Sequence, residues 1–106
     1  MPKYLLQASY TAEGAKGVLK DGGTKRRAAA QTAIESLGGK LDSFYFAFGD
    51  TDVFGIADFP DAASAAAASL ALSASGAVTG KLTVLLTPEE IDASAKKSMK
   101  YVPPGH

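Results

Sequence analysis

The sequence predicts an α+β fold: one antiparallel sheet of four strands with helices on one side, in the order β-α-β-β-α-β, plus an extra C-terminal helix. Three observations lead there. Segments of alternating polarity are separated by segments of helical period. Two strand-like segments adjoin across the short turn Gly49-Asp50-Thr51-Asp52, which makes them an antiparallel hairpin. Thr87-Pro88-Glu89-Glu90 marks a helix start after the last strand, with Thr as cap, Pro at the first helical position and Glu90 completing a capping box.

Lys3 to Tyr10 reads as the first strand, with Tyr4, Leu6, Ala8 and Tyr10 on one face and Leu5, Gln7 and Ser9 on the other. Thr11 caps a helical stretch from Ala12 to Lys20, and Glu13 suits its positive end. Asp21-Gly22-Gly23 interrupts it, and Thr24 is positioned to cap a second stretch whose apolar stripe is Ala30, Ala33, Ile34 and Leu37. Together they make one helical layer with a break, ended by Gly38-Gly39. Lys40 to Phe48 is an aromatic strand, with Phe44, Phe46 and Phe48 expected as core under the helices and Ser43, Tyr45 and Ala47 facing away. Val53 to Phe59 is the next strand. Pro60 and Asp61 open a helix to about Ser75, whose alanines form a thin side-chain layer around Leu70 and Leu72, so a close approach to the sheet is expected. Ala77 to Thr87 holds the last main strand. A final helix carries Ile91, Ala95, Met99 and Val102 as its stripe, and Pro103-Pro104-Gly105 stops it. This order is the ferredoxin-like arrangement. Residues 1–106 read as a single domain, with 101–106 as a short tail ending in His106.

Composition narrows the function. There is no cysteine, so no disulfide, thiolate nucleophile or iron–sulfur cluster is available; no asparagine is present for N-glycosylation. Eleven basic and eleven acidic residues give zero net charge, without the basic excess of a nucleic-acid binder. The start Met1-Pro2-Lys3-Tyr4-Leu5-Leu6 does not read as a signal peptide, and the Ala/Ser-rich stretch 62–78 lacks the density of large apolar residues that spans a bilayer. A cytoplasmic location is expected, with neither nucleic acid nor membrane as partner. One histidine, His106, excludes a multi-histidine zinc site. No phosphate-loop or dinucleotide-binding glycine pattern occurs, and no cofactor is expected.

Helices on one side leave the other face of the sheet open. An apolar sheet face open to water favours association, and a second copy packed face to face by a two-fold axis covers it symmetrically. A homodimer or larger homo-oligomer is therefore expected.

The stretches Leu37-Gly38-Gly39-Lys40, Phe44-Tyr45 and Phe48-Gly49-Asp50-Thr51-Asp52-Val53, with Pro2-Lys3-Tyr4 and Gly23-Thr24-Lys25-Arg26, resemble the GYD domain family in order and spacing up to about Glu90. The resemblance implies a dimeric α+β barrel, in which two ferredoxin-like sheets close around shared pockets. In an enzyme of that kind it implies cofactor-independent chemistry on a small organic compound. The family's tyrosine between Gly and Asp is Thr51 here, while Gly49 and Asp52 keep their places.

Candidate chemistry is sparse. Asp50 and Asp52 can hold a cation or, the preferred reading, bond the backbone of their own turn. Lys25-Arg26-Arg27 near a helix start can bind an anion or form a solvated face, and Arg26 matches an arginine of the resembled family. Tyr45, Gln7, Ser9 and Asp58 share the open face, where they orient a small organic ligand or satisfy an interface. The ligand-binding candidates are Gln7, Ser9, Arg26, Tyr45 and Asp52, with no metal site and no catalytic set. Two functions fit. One is a homo-oligomeric small-molecule-binding protein or cofactor-independent enzyme, with its pocket between sheet and helices or at the dimer interface. The other is a non-catalytic accessory or regulatory oligomerisation module.

Overall fold

Two faces of different character organise the molecule, and the alternation along each strand decides which residue lands on which. The computed structural model describes residues 2–106. In chain order the elements are β1 (Lys3–Tyr10), α1 (Ala12–Asp21), α2 (Gly23–Ser36), β2 (Lys40–Phe46), β3 (Val53–Asp58), α3 (Ala62–Ala74), β4 (Val78–Leu85) and α4 (Pro88–Ala95). The four strands form one antiparallel sheet in the order β2-β3-β1-β4, the ferredoxin-like topology.

On the covered face, Ile34 of α2 and Ala65 of α3 meet Leu41, Ala57 and Phe59 in a small buried cluster, with Tyr4, Phe44 and Leu82 packed around it. Phe59 is the largest fully buried side chain, and Tyr4 meets its ring edge-on at 5.6 Å. Cross-strand partners lie on one face, so the opposite face presents the rows Tyr45, Phe54, Gln7, Lys81 and Ser43, Ile56, Leu5, Thr83. A register shift between Leu41 and Ser43 bulges β2 at Asp42. The bulge helps bring Asp42 to the ammonium of Lys3, which also donates to Asp58 at 3.1 Å. One lysine thus ties together the ends of β1, β2 and β3.

The helix boundaries follow local chemistry. Thr11 accepts from the Gly14 N–H, Asp61 from the Ser64 N–H, and Thr87 and Glu90 bond reciprocally in the expected capping box. At the end of α2 the N–H groups of Gly38 and Gly39 return to the carbonyls of Glu35 and Ile34, and Gly38 takes φ 78°.

Three details differ from the sequence reading. First, α2 begins at Gly23 rather than behind a Thr24 cap, because Gly22 adopts φ 83° and its carbonyl accepts from the Arg26 N–H. Second, β2 ends at Phe46, and of the three phenylalanines expected as core Phe46 is 43% exposed and Phe48 fully exposed: the hairpin loop has already turned, closed by the Ala47 N–H donating to the Asp52 carbonyl at 2.7 Å. Third, α4 stops at Ala95, so Met99 and Val102 lie beyond it and share no helical stripe with Ile91. A helix this short needs a packed face to propagate, and none of its residues is buried. The alanine layer of α3 approaches the sheet closely through buried Ala65, while Leu70 is 72% exposed.

Candidate functional site

The open face of the sheet collects most of the polar candidates. Gln7 and Ser9 lie in a shallow recess of β1 and β4 with Thr51, Thr79, Gly80 and Lys81. Tyr45 stands on the same face, 70% exposed, across Phe54 from Gln7. Asp58 is held by Lys3 at one end of this face. The Lys3 hydrogen bond holds the Asp42 carboxyl below the usual carboxylate range, and Asp42 followed by Asp58 raises Lys3 in return.

Asp52 has a defined structural task. Its carboxylate accepts from the Tyr10 N–H at 2.9 Å, and its own N–H donates to the Ala8 carbonyl at 2.9 Å. Ser9 adds a bond from its hydroxyl to the Asp50 carbonyl at 2.8 Å. The β2–β3 turn is thereby tied down over the end of β1: the Asp52 carboxylate bonds the backbone of the neighbouring strand rather than that of its own turn. Among the described residues no three His, Asp or Glu side chains converge as a metal-binding group.

Arg26 sits in the first turn of α2, half-buried. Both ion pairs among the described residues belong to Lys3, and Arg26 lines neither the polar recess nor the cleft described next.

A cleft of about 460 Å³ lies between α2, α3 and the covered face. Its floor is Leu6, Leu41, Gly55, Ala57 and Leu82; its walls are Ile34 and Leu37 on one side and Ala68, Ala71 and Leu72 on the other. Ser36 is the sole polar residue of the lining, and its hydroxyl is committed to the Ala33 carbonyl. No ionisable side chain lines the space, and the Ser36 hydroxyl proton is spent on its own helix. The sequence left a pocket open either between sheet and helices or at a dimer interface, and did not mark these residues as its lining. The signal was the alanine run of α3: small side chains let Ala65 reach the sheet, and the same side chains further along, at Ala67, Ala68 and Ala71, do not reach α2.

The GYD domain matches residues 4–95, from the first strand through the last residue of α4. The chain belongs to the GYD domain family. Within that frame, Gly49 and Asp52 of this GYD chain occupy the β2–β3 loop, and Thr51 contributes to the polar recess beside Ser9. No curated protein and no solved structure gives a significant match to the chain. No helix among the described residues is long and apolar enough to cross a membrane.

Proposed function

We propose that this GYD protein is a homo-oligomer that binds a small apolar organic molecule in the cleft between α2, α3 and the sheet. The observation that carries the reading is the lining: about 460 Å³ bounded by aliphatic and alanine side chains, with one engaged hydroxyl. That volume lies within the roughly 300–1,000 Å³ of ordinary ligand pockets. A dry apolar space binds hydrocarbon-like groups without having to satisfy polar ones. The absence of titratable groups from the lining favours holding a ligand over transforming it.

The homo-oligomer part rests on the open face. Leu5, Phe54 and Ile56 run along its centre, flanked by Tyr45, with Phe54 37% exposed. Apolar residues in adjacent strands beside an exposed tyrosine have the composition of an interface core. A dimeric α+β barrel is the closed arrangement that covers two such faces at once.

Native mass spectrometry of freshly purified protein, followed by titration with an environment-sensitive apolar dye, tests this. The expected result is a dimer or larger species that binds the dye saturably. Ala71→Phe, which fills the cleft from an exposed helix position, lowers dye affinity about tenfold or more without lowering the melting temperature. A protein whose dye binding is indifferent to Ala71→Phe has no ligand site there.

A further inference from the structure

The segment after β4 has no place in the body of the fold. Every residue from Leu86 to His106 is exposed, among them Ile91 at 52%, Met99 at 79%, Tyr101 at 63% and Val102 at 71%. The radius of gyration is 17.0 Å and the longest extent 58 Å, against roughly 13 Å for the radius of a compact chain of this length. A helix of eight residues is marginal on its own, yet α4 has a complete capping box and a proline start. Its sequence is suited to being helical, and the packing that sustains short helices is missing from its own chain.

Where the segment leaves the body is informative. The start of α4 borders a recess formed by Pro2, Lys3, Leu85, Leu86, Thr87 and Glu90. Lys3 and Leu85 are cross-strand partners in register with the open face. The segment therefore departs at the rim of the face for which the homo-oligomer reading requires a second copy.

We propose that residues 86–106 are an arm that lies on a second copy of this chain and completes the interface begun by the sheet face; the inference rests on the homo-oligomer reading above. Area supports it. A sheet of four strands, eight residues long at most, offers roughly 500 Å² of flat face. Stable interfaces bury about 800 Å² per partner. The sheet face alone falls short, and an arm with five large exposed apolar side chains, Leu86 among them, supplies the remainder. Reach is sufficient. The helix spans about 12 Å and the residues after it up to about 36 Å. Sheets packed face to face lie about 10 Å apart, and one such sheet is roughly 19 Å wide. A two-fold axis makes the exchange reciprocal, so each copy gives an arm and receives one.

The test uses full-length protein in ordinary and ¹⁵N-labelled forms, refolded together and treated with a lysine-reactive cross-linker. Lys96, Lys97 and Lys100 report the arm. The expected result is a dimer whose arm-to-body links join one labelled and one unlabelled chain. In addition, Met99→Glu with Val102→Glu raises the dimer dissociation constant about tenfold or more. Both side chains are exposed in the single chain, so folding of the body is unaffected. A dimer whose arm links stay within one chain, or whose affinity ignores the double substitution, overturns the arm and leaves the dimer standing. A monomer overturns both.

Discussion

Gly14 shows how one missing side chain fixes a junction. Thr11 donates its N–H to the Ala77 carbonyl at 3.0 Å and its hydroxyl to the Gly76 carbonyl at 2.8 Å, so the start of α1 is sewn to the turn before β4. A β-carbon on Gly14 would lie 2.0 Å from that same Ala77 oxygen. Gly17, one turn later in α1, has nothing within 4 Å of the corresponding position. The two glycines therefore answer the same substitution with opposite signs. Gly14→Ala is expected to destabilise by about 1–3 kcal/mol, as overpacking against backbone does. Gly17→Ala is expected to stabilise by about 0.4–1 kcal/mol through the unfolded chain's lost freedom and the better helix former. Urea denaturation checks both, as shifts of midpoint at constant slope. Equal and opposite shifts are not required, but a shift of the same sign in both would contradict the packing seen at Ala77. Sequence alone could not separate these glycines, because both sit in the same helical stretch and differ only in what the tertiary fold puts beside them.

The elements themselves were legible wherever a local rule acted alone. Period-two alternation assigned the strand faces of β1 correctly, caps at Thr11 and Thr87 marked two helix starts, and Pro60-Asp61 marked a third. The misreadings came where tertiary support decided the outcome: α4 stops short for want of a packed face, and Phe48 leaves the sheet because Asp52 fastens the loop to β1. Two carboxylates at element ends also predict an acid response. Asp42 is held low chiefly by the Lys3 hydrogen bond, and Asp61 chiefly by the Ser64 N–H at the mouth of α3. A carboxyl lowered in the folded state stabilises the fold at pH values above its unfolded pKa near 4, and that contribution disappears as pH falls through the lowered value. Asparagine at both positions removes the two titrations, and its side-chain carbonyl can still cap α3 in place of Asp61. The double variant Asp42→Asn, Asp61→Asn should therefore lose less stability than the parent between pH 4 and pH 2 in denaturant titrations. A parent and variant with parallel pH profiles would show that neither carboxyl is coupled to folding.

At the scale of the whole molecule, a thin core and an apolar cleft share one origin in the alanine-rich α3. Alanine gives α3 strong helix propensity and little volume, so the core closes at Ala65 and Phe59 and opens into the cleft beyond them. The site was legible only in part for this reason. Alternation put Gln7, Ser9 and Tyr45 on one sheet face, whereas a gap between two helices depends on their spacing, which no periodicity records. The open face carries the last prediction. Ile56 lies at its centre on β3, opposite Leu5 on β1 and Ser43 on β2. Its side chain points away from the helical layer, so Ile56→Lys leaves the covered core untouched and keeps the far-ultraviolet circular dichroism of the parent. If two such faces pack together, the substitution sets two ammonium groups near the two-fold axis, where desolvation and like-charge repulsion both oppose association. Sedimentation equilibrium should then show the parent as a dimer or larger and Ile56→Lys as a folded monomer at the same concentration. A variant that keeps the parent's subunit count would mean that this face is covered by something other than its own copy.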